Sequence, residues 1–136
     1  MKKLKLSLIM IAWSLILEAQ SKPPAPSKMQ MGKDLYTQHC LSCHQADGTG
    51  IQNVTPPLSK TSYVTGSKTT LVKIILDGMD KKIEVNGSVY ETPMPAQSYL
   101  TDNEISSILT YVRNSFGNKA SEVTSEEIKK IRASSK

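Results

Sequence analysis

Large aromatic residues are nearly missing from this 136-residue chain, which has one tryptophan, Trp13, one phenylalanine, Phe116, and five tyrosines. Histidine and cysteine are as scarce, at two each. No apolar run reaches the ~20 residues that a membrane-spanning helix needs. The longest, Leu6 to Leu17, is preceded by Lys2, Lys3 and Lys5 and followed by Glu18-Ala19-Gln20 and a polar, proline-rich stretch. That order is the pattern of a secretory signal peptide, with cleavage expected after Ala19. An uncleaved leader would instead act as a membrane anchor. The formal charge of +5 is partly a property of the leader, whose removal leaves 14 basic against 11 acidic residues. The lysines are scattered and no aromatic residues interleave with them, which argues against a nucleic-acid partner.

The expected organisation is a signal peptide over 1–19, a linker over 20–30, a folded domain over 31–118 and a tail over 119–136 containing a short helix. Pro23, Pro24 and Pro26 keep the linker extended. A first helix is expected from about Gly32 to Gln45, closed by the turn chemistry of Asp47-Gly48-Thr49-Gly50. Leu71, Ile74 and Ile75 repeat at i, i+3, i+4 in a second helix over 70–77, which Gly78 is placed to stop. Ile83, Val85 and Val89 alternate around Asn86-Gly87, the strongest short-range hairpin signal. Thr101 and Glu104 are spaced as a capping box. Behind them Ile105, Ile108, Leu109, Val112 and Phe116 form one apolar stripe, ended by Gly117. Thr124 or Ser125 would cap a last helix carrying Ile128 and Ile131.

The chemistry concentrates in Cys40-Leu41-Ser42-Cys43-His44. Cys-x-x-Cys-His is the attachment pattern for haem c. Two cysteines three apart on one helical turn can both reach the porphyrin vinyl groups, and the next histidine addresses the iron from the same side. Zinc is a poorer fit: it wants four tetrahedral ligands, and His39, Cys40, Cys43 and His44 are crowded into one stretch of helix. A redox-active pair wants a βαβ setting, which the pattern of elements lacks. A structural disulfide is the remaining alternative for a secreted chain. A buried porphyrin would also supply the apolar mass that so few large aromatics leave missing. His39 lies on the same helix and is expected to face away from the iron.

With no spare histidine, methionine is the expected second axial ligand, and His/Met ligation raises the reduction potential. Met94 stands in Thr92-Pro93-Met94-Pro95, where the prolines hold the loop extended. Met79, beside Gly78, is the rival and is expected to be a packing residue. The second nitrogen of His44 needs an acceptor, and a proline carbonyl in Pro56-Pro57 is placed to supply it.

These residues resemble the class I c-type cytochromes from about Met31 to Asn118. The matching pieces are Gly32 with Leu35-Tyr36, Cys40 to His44, Pro56-Pro57-Leu58, Pro93-Met94-Pro95 and the helix over 105–112. The resemblance implies an all-α fold around one covalent haem c, with a small β-hairpin before the methionine loop. It implies that the first and last helices cross beside the haem, giving Tyr36, Leu109 and Val112 a structural role. It also implies His44 and Met94 as axial ligands and Pro56 as the partner of His44. Val85 to Tyr90, the Met94-Pro95 loop, Leu100 to Ile105, Leu109 to Asn118 and the tail from Val123 to Arg132 are similar to monohaem cytochromes of bacteria and to cytochrome domains attached to copper nitrite reductases and quinoprotein dehydrogenases. The expected function is therefore electron carriage in the periplasm or outside the cell, not catalysis. The partners would be a reductase, dehydrogenase or terminal oxidase. A haem sensor or peroxidase-like enzyme with an open iron is the alternative, and a permanently docked accessory subunit is a third.

Overall fold

Ser27 begins the first helix by turning its Oγ to the backbone N–H of Gln30. The computed structural model describes residues 25–134; the expected signal peptide and the first positions of the linker lie outside the described residues. Helix α1 spans Lys28–His39, so it starts inside the stretch read as linker. A short α2 follows at Leu41–His44. The single helix expected from Gly32 to Gln45 is thus broken at Cys40, whose ψ of −31° comes with a φ of −123°. The break leaves Tyr36 on the helix–helix interface while the next turn aims His44 elsewhere. Next come α3 at Ser62–Thr65 and α4 at Lys68–Asp77, the latter capped by Ser67 and so starting two residues ahead of the expected position. Strands β1, Ile83–Val85, and β2, Ser88–Tyr90, pair antiparallel with Ile83 opposite Tyr90. Asn86 and Gly87 both have positive φ, at 51° and 80°, as a two-residue hairpin turn requires. Helix α5 spans Asp102–Arg113 and α6 spans Ser125–Ser134.

The capping box of α5 is present in both directions between Thr101 and Glu104. Ile105, Ile108, Leu109 and Val112 are all buried, as their spacing predicts. The helix ends at Arg113 with Asn114 as its cap, earlier than Gly117. Phe116 therefore sits in the following turn, where its ring meets Tyr36 at 5.3 Å and Tyr111 at 5.6 Å. Thr124, not Ser125, caps α6: its Oγ1 accepts from Glu127 N, and its own N–H donates to Glu127 Oε2 at 2.7 Å. That helix packs down, with Val123 and Ile128 fully buried.

α1 and α5 cross at Gly32. A β-carbon there would run into the Ser107 carbonyl oxygen and lie 2.8 Å from Tyr111 Cβ. Backbone cannot give way as a side chain can. Gly32→Ala is therefore expected to cost about 3 kcal/mol by overpacking, despite the ~1 kcal/mol gain in helix propensity. Thermal unfolding should show it as a Tm lower by more than 10 °C, at roughly 4–8 °C per kcal/mol for a domain of this size.

Candidate functional site

α2 ends at His44, which is 8% exposed. Its Nδ1 lies 3.1 Å from the Pro56 carbonyl oxygen. A carbonyl can only accept, so Nδ1 carries the proton and Nε2 keeps a free lone pair. Burial holds the imidazole below its ordinary pKa, with the Pro56 bond opposing in part, so the neutral, ligand-competent form is favoured.

Pro56 is delivered by a tight loop. Gly50 N donates to His44 O, and Ile51 and Thr55 bond each other's backbone in both directions. Gly50 has a φ of 67°, and a β-carbon on it would collide with the Thr55 carbonyl and approach Pro56 O to 2.7 Å. The loop after Pro57 is tied to the end of α5 by Asn118. Its Nδ2 donates to Leu58 O and Val112 O, both at 2.9 Å, and its Oδ1 accepts from Lys60 N at 2.8 Å.

Met94 comes from the far side. Its N–H and C=O both bond the backbone of Met79, at 2.7 and 2.9 Å, in an isolated antiparallel bridge. Gly78, with a φ of 75°, allows that approach. Met79 was expected only to pack. It does line the site, but its backbone also anchors Met94, a role no local pattern announces.

Between these walls lies an apolar cleft in two connected parts. One, of about 660 Å³, is lined by Cys40, Leu58, Val64, Leu71, Ile75 and the α5 residues Ile108, Leu109 and Val112. The other, of about 540 Å³, is lined by Cys43, Val54, Tyr90 and Pro93. His44, Pro56, Met79, Ile83 and Met94 line both. Each part thus has one cysteine, and the histidine and both thioethers stand where the parts meet. A flat apolar ring fits this cleft, and the donor set of two thiols, one imidazole and a thioether suits a covalent iron porphyrin. Neither cysteine is in a disulfide. Burial, helped by the charge on Cys43, pushes the Cys40 thiol up to about 11.

His39 lines neither part. Its Nδ1 is 3.2 Å from Tyr99 Oη and its ring meets the Tyr99 ring edge-on. Two residues the sequence did not flag hold the surrounding wall. Arg113, 2% exposed, donates to the carbonyls of Val64, Gly66 and Ser121. Arg132 grips the chain between the methionine loop and α5.

A family model described as cytochrome c matches residues 29–116. Cytochrome c-552 of Thermus thermophilus is 34% identical over 112 residues, covering 75% of this chain and 84% of that protein. The cytochrome c subunit of the quinone-type alcohol dehydrogenase of Gluconacetobacter polyoxogenes is 34% identical over 104 residues. That match covers 74% of this chain and 22% of the subunit. The fructose dehydrogenase cytochrome subunit of Gluconobacter japonicus is 33% identical over 118 residues, which cover 81% of this chain and 24% of that subunit.

Proposed function

Because the chain belongs to the cytochrome c family, whose members carry covalently bound haem c and transfer electrons, we propose that it is a periplasmic monohaem carrier with His44 and Met94 as axial ligands and Cys40 and Cys43 as thioether attachments. The observation that carries this reading is the meeting of His44 and Met94 at the join of one apolar cleft with a cysteine in each part. When bound, the haem supplies a one-electron couple between ferric and ferrous iron.

The protein's own groups do the rest. Cys40 and Cys43 would hold the haem by thioether bonds, the sulfur and hydrogen of each thiol being taken up across a vinyl group with no leaving group. Pro56 holds His44 in one tautomer and one orientation. The Met79 backbone and the flanking prolines hold Met94, so little of the site has to move when charge changes. The apolar lining excludes water and, with the thioether ligand, favours the reduced state. The Cys43 side is the exposed one and is the natural exit for the electron.

The relatives' names support a redox enzyme as partner. A dehydrogenase that yields single electrons would be the donor, and a reductase or terminal oxidase the acceptor. Residues 1–19 would direct export. The dehydrogenase subunits among the relatives also support a chain docked permanently in a larger enzyme; co-purification from native membranes distinguishes this from a free carrier.

The test is the visible spectrum of the exported protein, oxidised and reduced, with and without carbon monoxide. Sharp c-type bands, a weak red band in the ferric form and indifference to carbon monoxide are expected. A high-spin spectrum that shifts with carbon monoxide would mean an open iron and replace the carrier by a sensor or enzyme.

A further inference from the structure

α6 lies beyond the residues that the family model matches, yet it is not an ornament on the surface. Val123 and Ile128 are fully buried beneath it, and Lys68 of α4 pairs with Glu127 at 2.9 Å. Near its other end Arg132 spreads its guanidinium over the chain that leaves the methionine loop. Nη1 donates to Ser98 O at 2.9 Å, Nη2 to Leu100 O at 2.8 Å, and Nε to Asp102 Oδ1 at 2.8 Å.

We propose that Arg132 is a positioning residue for Met94: α6 uses it to hold the exit of the methionine loop closed, so that the thioether stays over the iron. The proposal rests on the reading of Met94 as an axial ligand.

The loop's other ties to the fold are few. Met94 is bonded to Met79, Gln97 N donates to Ile75 O at 2.8 Å, and Tyr99 Oη meets His39 Nδ1 at 3.2 Å on the surface. The remaining bonds are internal: Leu100 N to Gln97 O, Gln97 Nε2 to Pro95 O and Tyr99 Oη to Gln97 Oε1. Pro93 and Pro95 bring no backbone donors. The carbonyls of Ser98 and Leu100 are met by the Arg132 fork, which presents donors in one rigid plane. Freed of it, the segment from Pro95 to Leu100 would keep the Gln97–Ile75 backbone bond and the exposed Tyr99–His39 contact as its ties to the rest of the fold, and the Met94 end could swing away more often. Opening of that kind exposes the iron to outside ligands, whose apparent affinity rises in proportion to the open fraction.

The experiment is imidazole titration of the ferric holoprotein at 25 °C, alongside its red band and its Tm. Arg132→Met, which keeps the alkyl stem and loses all three bonds, is expected to bind imidazole about tenfold more tightly than the unaltered protein while remaining folded. Lys68→Met loosens the same helix at its other end and is expected to lower Tm without changing imidazole affinity. If Arg132→Met does not fold, Arg132→Lys takes its place, with a gain of about threefold expected because one ammonium replaces the planar fork. Unchanged affinity in the Arg132 variant, or an equal gain in Lys68→Met, would overturn the proposal. Failure of the ligand reading looks different: Met94→Ala would then retain the red band.

Discussion

Replacing Met94 by alanine is expected to abolish the red band of the ferric protein, let carbon monoxide bind the ferrous protein, and lower the reduction potential. The variant isolates the side chain. Both bonds that hold the Met94 backbone run to Met79 and survive the change, and the flanking prolines remain, so the loop should keep its course. What goes is the soft sulfur donor that favours the ferrous state. A fall of at least 59 mV is expected, since that corresponds to a tenfold shift in the ratio of the two states for a one-electron couple. Met79→Leu is the matched control, because Met79 lines the same cleft and differs in sequence position alone as a thioether source. It should keep the red band and the closed iron. If the band vanished in Met79→Leu and persisted in Met94→Ala, the two methionines would exchange roles.

The second large effect is expected from Cys40→Ser with Cys43→Ser. The double variant should yield no haem that survives acidified organic extraction, whereas each single variant should retain a covalent haem by one thioether. Extraction followed by gel staining for bound haem reads this directly. The singles should also differ from each other. Cys40 is half-buried in the part of the cleft bounded by α5, and Cys43 is exposed. Losing the Cys40 bond should therefore disturb the buried end of the ring more than losing the Cys43 bond. Without haem, the apolar lining of the cleft has nothing to bury against. The double variant purified free of haem should melt roughly 20 °C below the holoprotein, at roughly 4–8 °C per kcal/mol lost.

Local chemistry made part of this molecule readable in advance. Asn86-Gly87 announces the hairpin because only such residues accept two positive φ values in succession. Thr101 and Glu104 announce α5 because each satisfies the other's backbone, and Cys40 to His44 announce the cofactor because the spacing is the chemistry. The Pro56 carbonyl reaches His44 as its resemblance to known chains implies. The break at Cys40 had no such signal, since no proline or glycine marks it. The Met79–Met94 bridge joins single residues and not strands, so no alternation of polarity precedes it. Asn118, Arg113 and Arg132 act across 30 residues or more of sequence for most of their bonds, and a polar residue's partner at that distance leaves no trace in the pattern around it. The boundary of the linker moved for a simpler reason: Ser27 is a good cap, and a helix starts where its first free N–H groups find an acceptor.

The crossing of α1 over α5 at Gly32 and Ser107 also sets an order of events. A chain made from its N-terminus releases Cys40 and Cys43 about 60 residues before the helix that walls the cleft exists. Until α5 arrives, α1 has no surface to lie on, and contacts so distant in sequence close late. Both thiols are therefore presented on an open, unpacked segment for as long as the last quarter of the chain is missing. The topology thus leaves a window in which the thiols are reachable before the protein can close over whatever they have bound.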